Sequence, residues 1–259
     1  MNETVQTIIN RCSLRKFNDQ AISKEHMEII IESMKRAPTA GNQMLYSIIL
    51  VTDKDKLNQL SISCDNQPFI KDAPLAMIIL ADQQKWFDYY LQNNILDYCD
   101  KTGLEYKSPQ FGDLFIAIED AMVAAQNAVI AAESLGIGSC YIGDILENYE
   151  FHKELLKLPD FVFPISMLLF GYYPENHKKV FRPRFDNKYF VFENEYNSLD
   201  KEQIKEMFGL ADQSFRPNNS YQAENFAQMF YARKTNSVFM KEMNRSILRM
   251  LENWSGTKK

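Results

Sequence analysis

Gly136-Ile137-Gly138-Ser139-Cys140-Tyr141-Ile142-Gly143 holds three of the nine glycines in this 259-residue chain. Glycines crowded together in a glycine-poor chain serve a backbone need, either an unusual φ or a close approach. A dinucleotide-binding loop would read GxGxxG, follow a strand and open a helix. Here Tyr141 takes the place of the third glycine. The segment ahead, Asp113 to Leu135, reads as a long helix with Phe115, Ile118, Met122, Ala125, Val129 and Ala132 on one apolar face. The doubly wound dinucleotide fold therefore fails on both counts. Gly136 reads as a helix C-cap, and Gly143 as the start of a new helical segment whose N–H can face a ligand.

Outward from this stretch, strands and helices alternate. Continuous apolar runs at SIILVTD from Ser47, LAMIILAD from Leu75 and PISMLLFGY from Pro164 suit strands covered on both faces. Helices are expected through HMEIIIESMKRA, capped by Ser23, through DKDKLNQL, and through ILENYEFHKELLKL up to Pro159. Ser220 to Trp254 is strongly helical in pattern, with a stripe that includes Phe226, Phe230, Phe239, Ile247, Met250 and Trp254. That stripe suits packing on its own domain or on a second subunit. The alternation allows parallel α/β or mixed α+β. Without a repeat or a Pro/Ser/Gly-rich linker, the expected organisation is one main domain over 1–200 with a helical C-terminal extension over 201–259.

Net charge is −5, with a pI near 5.4, which argues against nucleic-acid binding through phosphate neutralisation. The four cysteines form no CxxC pair and only three histidines are present, so neither a metal site nor a Ser-His-Asp hydrolase is supported. Scattered thiols suit a reducing compartment. MNETVQTIIN shows no charged and apolar leader pattern, and no run of about 18 apolar residues suggests a span. The expectation is a cytoplasmic chain with neither membrane nor nucleic-acid partner.

Three further stretches carry candidate chemistry. In RCSLRKF, residues 11–17, Arg11, Ser13 and Arg15 alternate and share one face if extended, as an anion site requires, although a solvated turn explains the charges as well. In APTAGNQ, residues 37–43, small residues and an amide follow a helix. This is either a plain connection or a backbone-rich wall for a flat ligand. In FRPRFD, Arg182 and Arg184 flank Pro183 and can complete a phosphate clamp with the first cluster.

Taken in order, these stretches resemble the FMN-dependent nitroreductase family of NAD(P)H oxidoreductases, in its larger flavin-reductase-like branch. Arg11-Cys12-Ser13-Leu14-Arg15 is similar to the family's R-R-S-x-R segment, and Pro38-Thr39-Ala40-Gly41-Asn42-Gln43 to its P-S-A-G-N-x-Q loop. Gly136 to Gly143 is similar to its G-x-G-x-x-x-I-G element, and Arg182-Pro183-Arg184 to its late K/R-P-R. The likeness covers roughly residues 4–196. It implies an α+β sandwich with a central, mainly antiparallel sheet flanked by helices. It also implies an intertwined homodimer with FMN at the interface, and NADH or NADPH as co-substrate in a ping-pong cycle. The small-molecule acceptor would be flat: a nitroaromatic, a quinone or a flavin.

By resemblance, Arg11, Ser13, Arg182 and Arg184 hold the FMN phosphate and ribityl chain, and Arg15 lies near the flavin N1/O2 edge. Pro38, Thr39, Ala40 and Asn42 belong to the flavin wall. Gln67 touches the ring or is a polar loop residue. Tyr141, Ile142, Gly143 and Asp144 line N5. No side chain is needed as acid or base, because the cofactor carries the chemistry. Cys12 stands where the family often has a second arginine, and Cys140 is a redox accessory or a small buried residue. The aromatic insertion over 85–112 is a substrate lid or a satellite core. The same motifs are compatible with a flavin-binding protein without reductase activity, or with a flavin-modifying or dehalogenating relative.

Overall fold

Four strands form one sheet: β1 Tyr46–Val51, β2 Leu75–Asp82, β3 Ile137–Ile142 and β4 Val162–Tyr172, in the order β1-β2-β4-β3. All three neighbouring pairs are antiparallel, as expected for the α+β class. This is a computed structural model, and it describes residues 1–255. β2 and β4 are central and buried almost throughout, which accounts for their unbroken apolar sequences.

β3 was not expected as a strand. Glycine is a poor strand former, and nothing in IGSCYI alternates. It pairs along its whole length with β4, from Ile137 opposite Tyr172 to Ile142 opposite Met167.

The helices are α1 Glu3–Asn10, α2 Lys24–Lys35, α3 Lys54–Ser63, α4 Phe69–Asp72, α5 Gln84–Gln92, α6 Ile95–Thr102, α7 Phe111–Ser134, α8 Tyr149–Leu156, α9 Lys201–Gln213, α10 Phe226–Phe230 and α11 Val238–Trp254. Side-chain caps fix many of the starts. Ser23 accepts from the His26 N–H and Asp53 from the Lys56 N–H, while Asp200 and Gln203 cap α9 reciprocally. The helical pattern expected without a break from Ser220 to Trp254 is interrupted. A wide turn over Tyr231–Thr235 follows α10, and the Ser237 hydroxyl then accepts from the Met240 N–H to start α11.

The described residues fall into two compact units, 1–179 with 242 onward, and 180–241. The first has the sheet between two helical layers. One face of the sheet packs on α2, α7 and the end of α11, through Met77, Ile79, Phe170, Ala121, Ala125, Met250 and Trp254. The other packs on α3, α4 and the turn before α8, through Ile78, Met167, Leu169, Leu57, Ile70 and Ile145. α7 is long and apolar enough to cross a membrane by length and composition, yet a run of its alanines is buried against the sheet. Its buried stripe passes through Leu114, Ala117, Ala121, Ala125 and Val129, whereas Phe115 and Met122, expected on the packed face, are exposed. Alanine lets the backbone of a helix approach a sheet closely, so the bulky residues are displaced to the outer side.

The second unit holds α9, α10 and the first turn of α11. Neither α9 nor α10 has a buried residue. Ile204, Phe208, Phe226 and Phe230 line an apolar groove there.

Candidate functional site

β3 organises the site. The segment after α1 runs beside it: the Leu14 N–H donates to the Ser139 carbonyl at 2.8 Å, and Ser13 makes a parallel bridge to Ser139. The alternation of an extended strand then sorts the side chains. Leu14 is fully buried, while Ser13 and Arg15 are exposed and Arg11 and Cys12 half-buried. Gly138 makes the approach possible, since a Cβ there would lie 2.5 Å from Leu14 Cδ2. Gly136 has φ +74° just past α7, the expected C-cap position. Gly143 has nothing within 4 Å of its missing Cβ, so its backbone faces open space at the start of the turn Gly143–Leu146.

Among the described residues neither Arg11 nor Arg15 has an ion-pair partner. The Arg15 guanidinium lies 6.0 Å from the centre of the Phe69 ring. Both arginines act on the buried Cys140. Burial pushes that thiol up, and the positive charge of Arg15 and Arg11, with the hydroxyl of Ser13, partly offsets the push. Cys140 is thus a protonated, packed thiol, and the strip is a patch of uncompensated positive charge in an acidic chain. Lys179 donates to the Asn10 carbonyl and pairs with Glu133, and Tyr173 donates to the same Glu133 carboxylate at 2.9 Å. These contacts tie the start of the strip to α7. A cleft of about 590 Å³ beside Arg15 adds Lys16, Lys54 and Lys71, together with Asp19 and Asp72.

Tyr141 projects toward α7, where its hydroxyl donates to Gln126 at 3.3 Å, and burial pushes it up to about 12. Ile142 points to the opposite face and is buried. These two residues therefore offer backbone, not side chains, to the open end of β3. Asp144 is bonded to Gln67, whose Nε2 donates to Oδ2 at 2.7 Å. The structure brings together these two candidates, 77 residues apart in sequence.

The loop after α2 is held in an unusual shape, with Gly41, Asn42 and Met44 all at positive φ. Asp120, buried on α7, holds it. Its Oδ1 accepts from the Ala40 N–H at 2.9 Å and its Oδ2 from the Leu45 N–H at 3.3 Å. Pro38 and Asn42 are exposed, and Thr39 and Ala40 half-buried. The Trp86 indole donates to the Gln43 carbonyl at 2.9 Å, which joins the loop to α5. A cavity of about 340 Å³ opens between Ala40, Gly41 and Gln43 on one side and Phe87, Tyr90 and the 107–110 stretch on the other. Arg182 and Arg184 lie in the second unit, exposed, on a segment without helix or strand.

Sequence reasoning missed Asp120, Lys179, Glu133 and Glu147. Asp120 left a signal, a carboxylate interrupting the alanine face AIEDAMVAA. The others looked like ordinary surface charges.

Residues 8–172 match the family described as the nitroreductase family. Over 199 residues the chain is 32% identical to the FMN reductase (NADPH) of Bacillus subtilis strain 168, covering 76% of each chain. It is 31% identical over 208 residues to the NADPH-flavin oxidoreductase of Vibrio harveyi, covering 79% of each. The solved structure of nitroreductase A from Vibrio parahaemolyticus superposes with a TM-score of 0.79 at 27% identity, covering 98% of each chain.

Proposed function

The chain belongs to the nitroreductase family, and from that premise we propose how its residues serve an NAD(P)H-dependent FMN oxidoreductase. The observation that carries the reading is the strip Arg11–Arg15, two unpaired guanidiniums and a hydroxyl laid along the open end of β3. The residues present fit FMN. Its phosphate needs cationic forks and its ring needs exposed backbone N–H groups, and the strip and the Gly143 turn offer these side by side. FMN held there would supply the redox chemistry that passes electrons from NAD(P)H to an acceptor.

In this reading Arg11, Cys12 and Ser13 meet the phosphate and ribityl chain, and the assignment of Arg182 and Arg184 to the phosphate rests on the sequence resemblance alone. Arg15 faces the N1/O2 edge, where a fixed positive charge favours the electron-rich ring. Tyr141, Ile142, Gly143 and Asp144 face N5 through backbone, with Gln67 beside them. Pro38, Thr39, Ala40 and Asn42 form the wall behind the ring. The lysines of the cleft beside Arg15 offer a place for a nucleotide phosphate. The aromatic helices α5 and α6 act as a lid over flat acceptors such as nitroaromatics, quinones or flavins. The cavity between α5 and the Ala40–Gln43 loop supports that role.

A helical segment beyond residue 200, whose last described turns belong to the first unit, and a homodimer complete the reading. Val5, Ile8 and Ile9 on α1, and Phe115, Ile116, Met122 and Val123 on α7, leave apolar surface exposed that a second copy would cover. The second unit leaves Phe190, Tyr196 and Leu210 exposed as well. Four unpaired cysteines support a reducing, cytoplasmic setting.

Donor and acceptor use one approach to the ring in turn. Initial rates with NADPH or NADH and a quinone should therefore give parallel double-reciprocal lines. Intersecting lines would mean that both substrates bind together, and would sink the shared-approach reading.

A further inference from the structure

Glu147 closes the short turn that carries Asp144, donating its N–H to the Asp144 carbonyl at 3.1 Å. Glu147 is only 4% exposed, and its Oε1 has no hydrogen-bond partner among the described residues. A bare carboxylate placed so is unfavourable, whereas a neutral carboxylic acid is tolerated.

Among the described residues, the charged groups that act most on Glu147 are acids and give it no counter-charge. Asp144 comes from its own turn, Asp65 from the loop after α3 and Glu242 from α11, all acidic. Arg245 on α11 is committed to Glu150 and Glu242. His152 on α8 is kept neutral by burial, with Nδ1 on the Ile145 carbonyl and Nε2 on the Ser63 hydroxyl. Cys64 stays a thiol because burial pushes it up. Burial first, and then the acidic neighbours, push the Glu147 carboxyl up to about 8.

Beyond Asp144 lies Gln67, whose Nε2 donates both to Asp144 Oδ2 at 2.7 Å and to the Cys64 carbonyl at 3.0 Å. Gln67 follows two residues at positive φ, Asp65 and Asn66, a backbone detour that sets where the amide points. Glu147 follows Asp144 by three residues across the tight turn that its own N–H closes, the spacing at which side chains of such a turn lie one above the other.

We propose that Glu147 is a positioning residue of the flavin site: as a neutral acid it donates to Asp144, and Asp144 in turn fixes the amide of Gln67. The inference rests on the reading of Gln67 and Asp144 as flavin contacts. When Glu147 loses its proton, two carboxylates face each other with no proton between them. Asp144 then swings away, and Gln67 loses its acceptor.

The test follows FMN affinity from pH 6 to pH 9.5 by quenching of flavin fluorescence, in the unmodified protein, Glu147→Gln and Asp144→Asn. Chemical denaturation of the same three proteins without added flavin accompanies it. The unmodified protein should lose FMN affinity about tenfold as pH rises through the Glu147 transition, the size of one charge-assisted hydrogen bond. Glu147→Gln, which donates to Asp144 at every pH, should give a flat profile. Asp144→Asn removes the facing carboxylate, so it should flatten the FMN profile and, in denaturation, move the Glu147 transition to lower pH.

Denaturation reports the proton directly. A carboxyl whose folded value is raised favours folding below its unfolded value. That contribution is lost as pH rises from the unfolded to the folded value, by up to about tenfold in the folding equilibrium per pH unit. Glu147→Gln should remove this slope. A Glu147→Gln profile with the same pH dependence of FMN affinity as the unmodified protein, or a flat profile in the unmodified protein, would overturn the proposal. No FMN binding by any of the three at any pH would overturn the flavin reading and this inference with it, while the denaturation slope would still show whether Glu147 holds its proton.

Discussion

Replacing Arg11 and Arg15 together with alanine should weaken FMN binding by about 10²–10⁴-fold while leaving the fold intact. Among the described residues neither guanidinium makes an ion pair, and the neighbours of Arg15, the Phe69 ring and the Cys140 thiol, leave its charge unneutralised and open to an anionic ligand. A hydrogen bond to a charged group contributes about 1.5–3 kcal/mol, and two lost together scale the affinity by that range. The fold should tolerate the change because Arg15 is exposed and Arg11 half-buried, whereas Leu14 between them is what anchors the strip. Arg15→Lys is not a neutral control, since lysine keeps the charge and loses the planar fork. Isothermal titration with FMN, alongside a thermal melt, separates the two effects. Unchanged FMN affinity in a folded double variant would remove the strip from the cofactor site.

Trp254→Ala should destabilise the first unit by about 3–5 kcal/mol, the usual cost of deleting a large aromatic from a core. Trp254 is 2% exposed, meets the Phe161 ring edge-on at 5.6 Å and donates its indole N–H to the Gln110 carbonyl at 3.0 Å. Gln110 caps α7, so the substitution also frees the start of the helix that carries Asp120 and Gln126. The sequence stripe on α11 suited either a surface helix or a subunit contact. Met250 and Trp254 assign its last turns to the core of the first unit. Urea denaturation at fixed protein concentration should show the midpoint fall, and a midpoint within error of the unmodified protein would place Trp254 outside the core.

Much of this was legible in the residues. LAMIILAD forms a strand from Leu75 to Asp82, because a run buried on both faces has no polar residue to blur its ends. Ser23 marks the start of α2 because its hydroxyl oxygen accepts from a backbone N–H that the helix cannot satisfy itself. Strand direction was not legible: a doubly buried strand carries the same pattern whether parallel or antiparallel, and only the family resemblance favoured antiparallel. β3 was hidden because Gly138 answers to Leu14, which reaches it from about 120 residues earlier. Asp120 and Glu147 were hidden for a related reason. Their role depends on backbone N–H groups and carboxyls brought in from distant segments, so their local sequence looks like solvated helix charge. Pairing between Gln67 and Asp144 is likewise a product of the fold alone.

The most direct test is to add FMN to the purified protein, remove unbound flavin, exclude oxygen and then add NADPH or NADH while following visible absorbance. The account predicts that FMN is retained and that its absorbance bleaches with at least one of the two nucleotides, returning when a quinone is added. A protein that retains no FMN, or whose retained FMN is bleached by neither nucleotide, would contradict it.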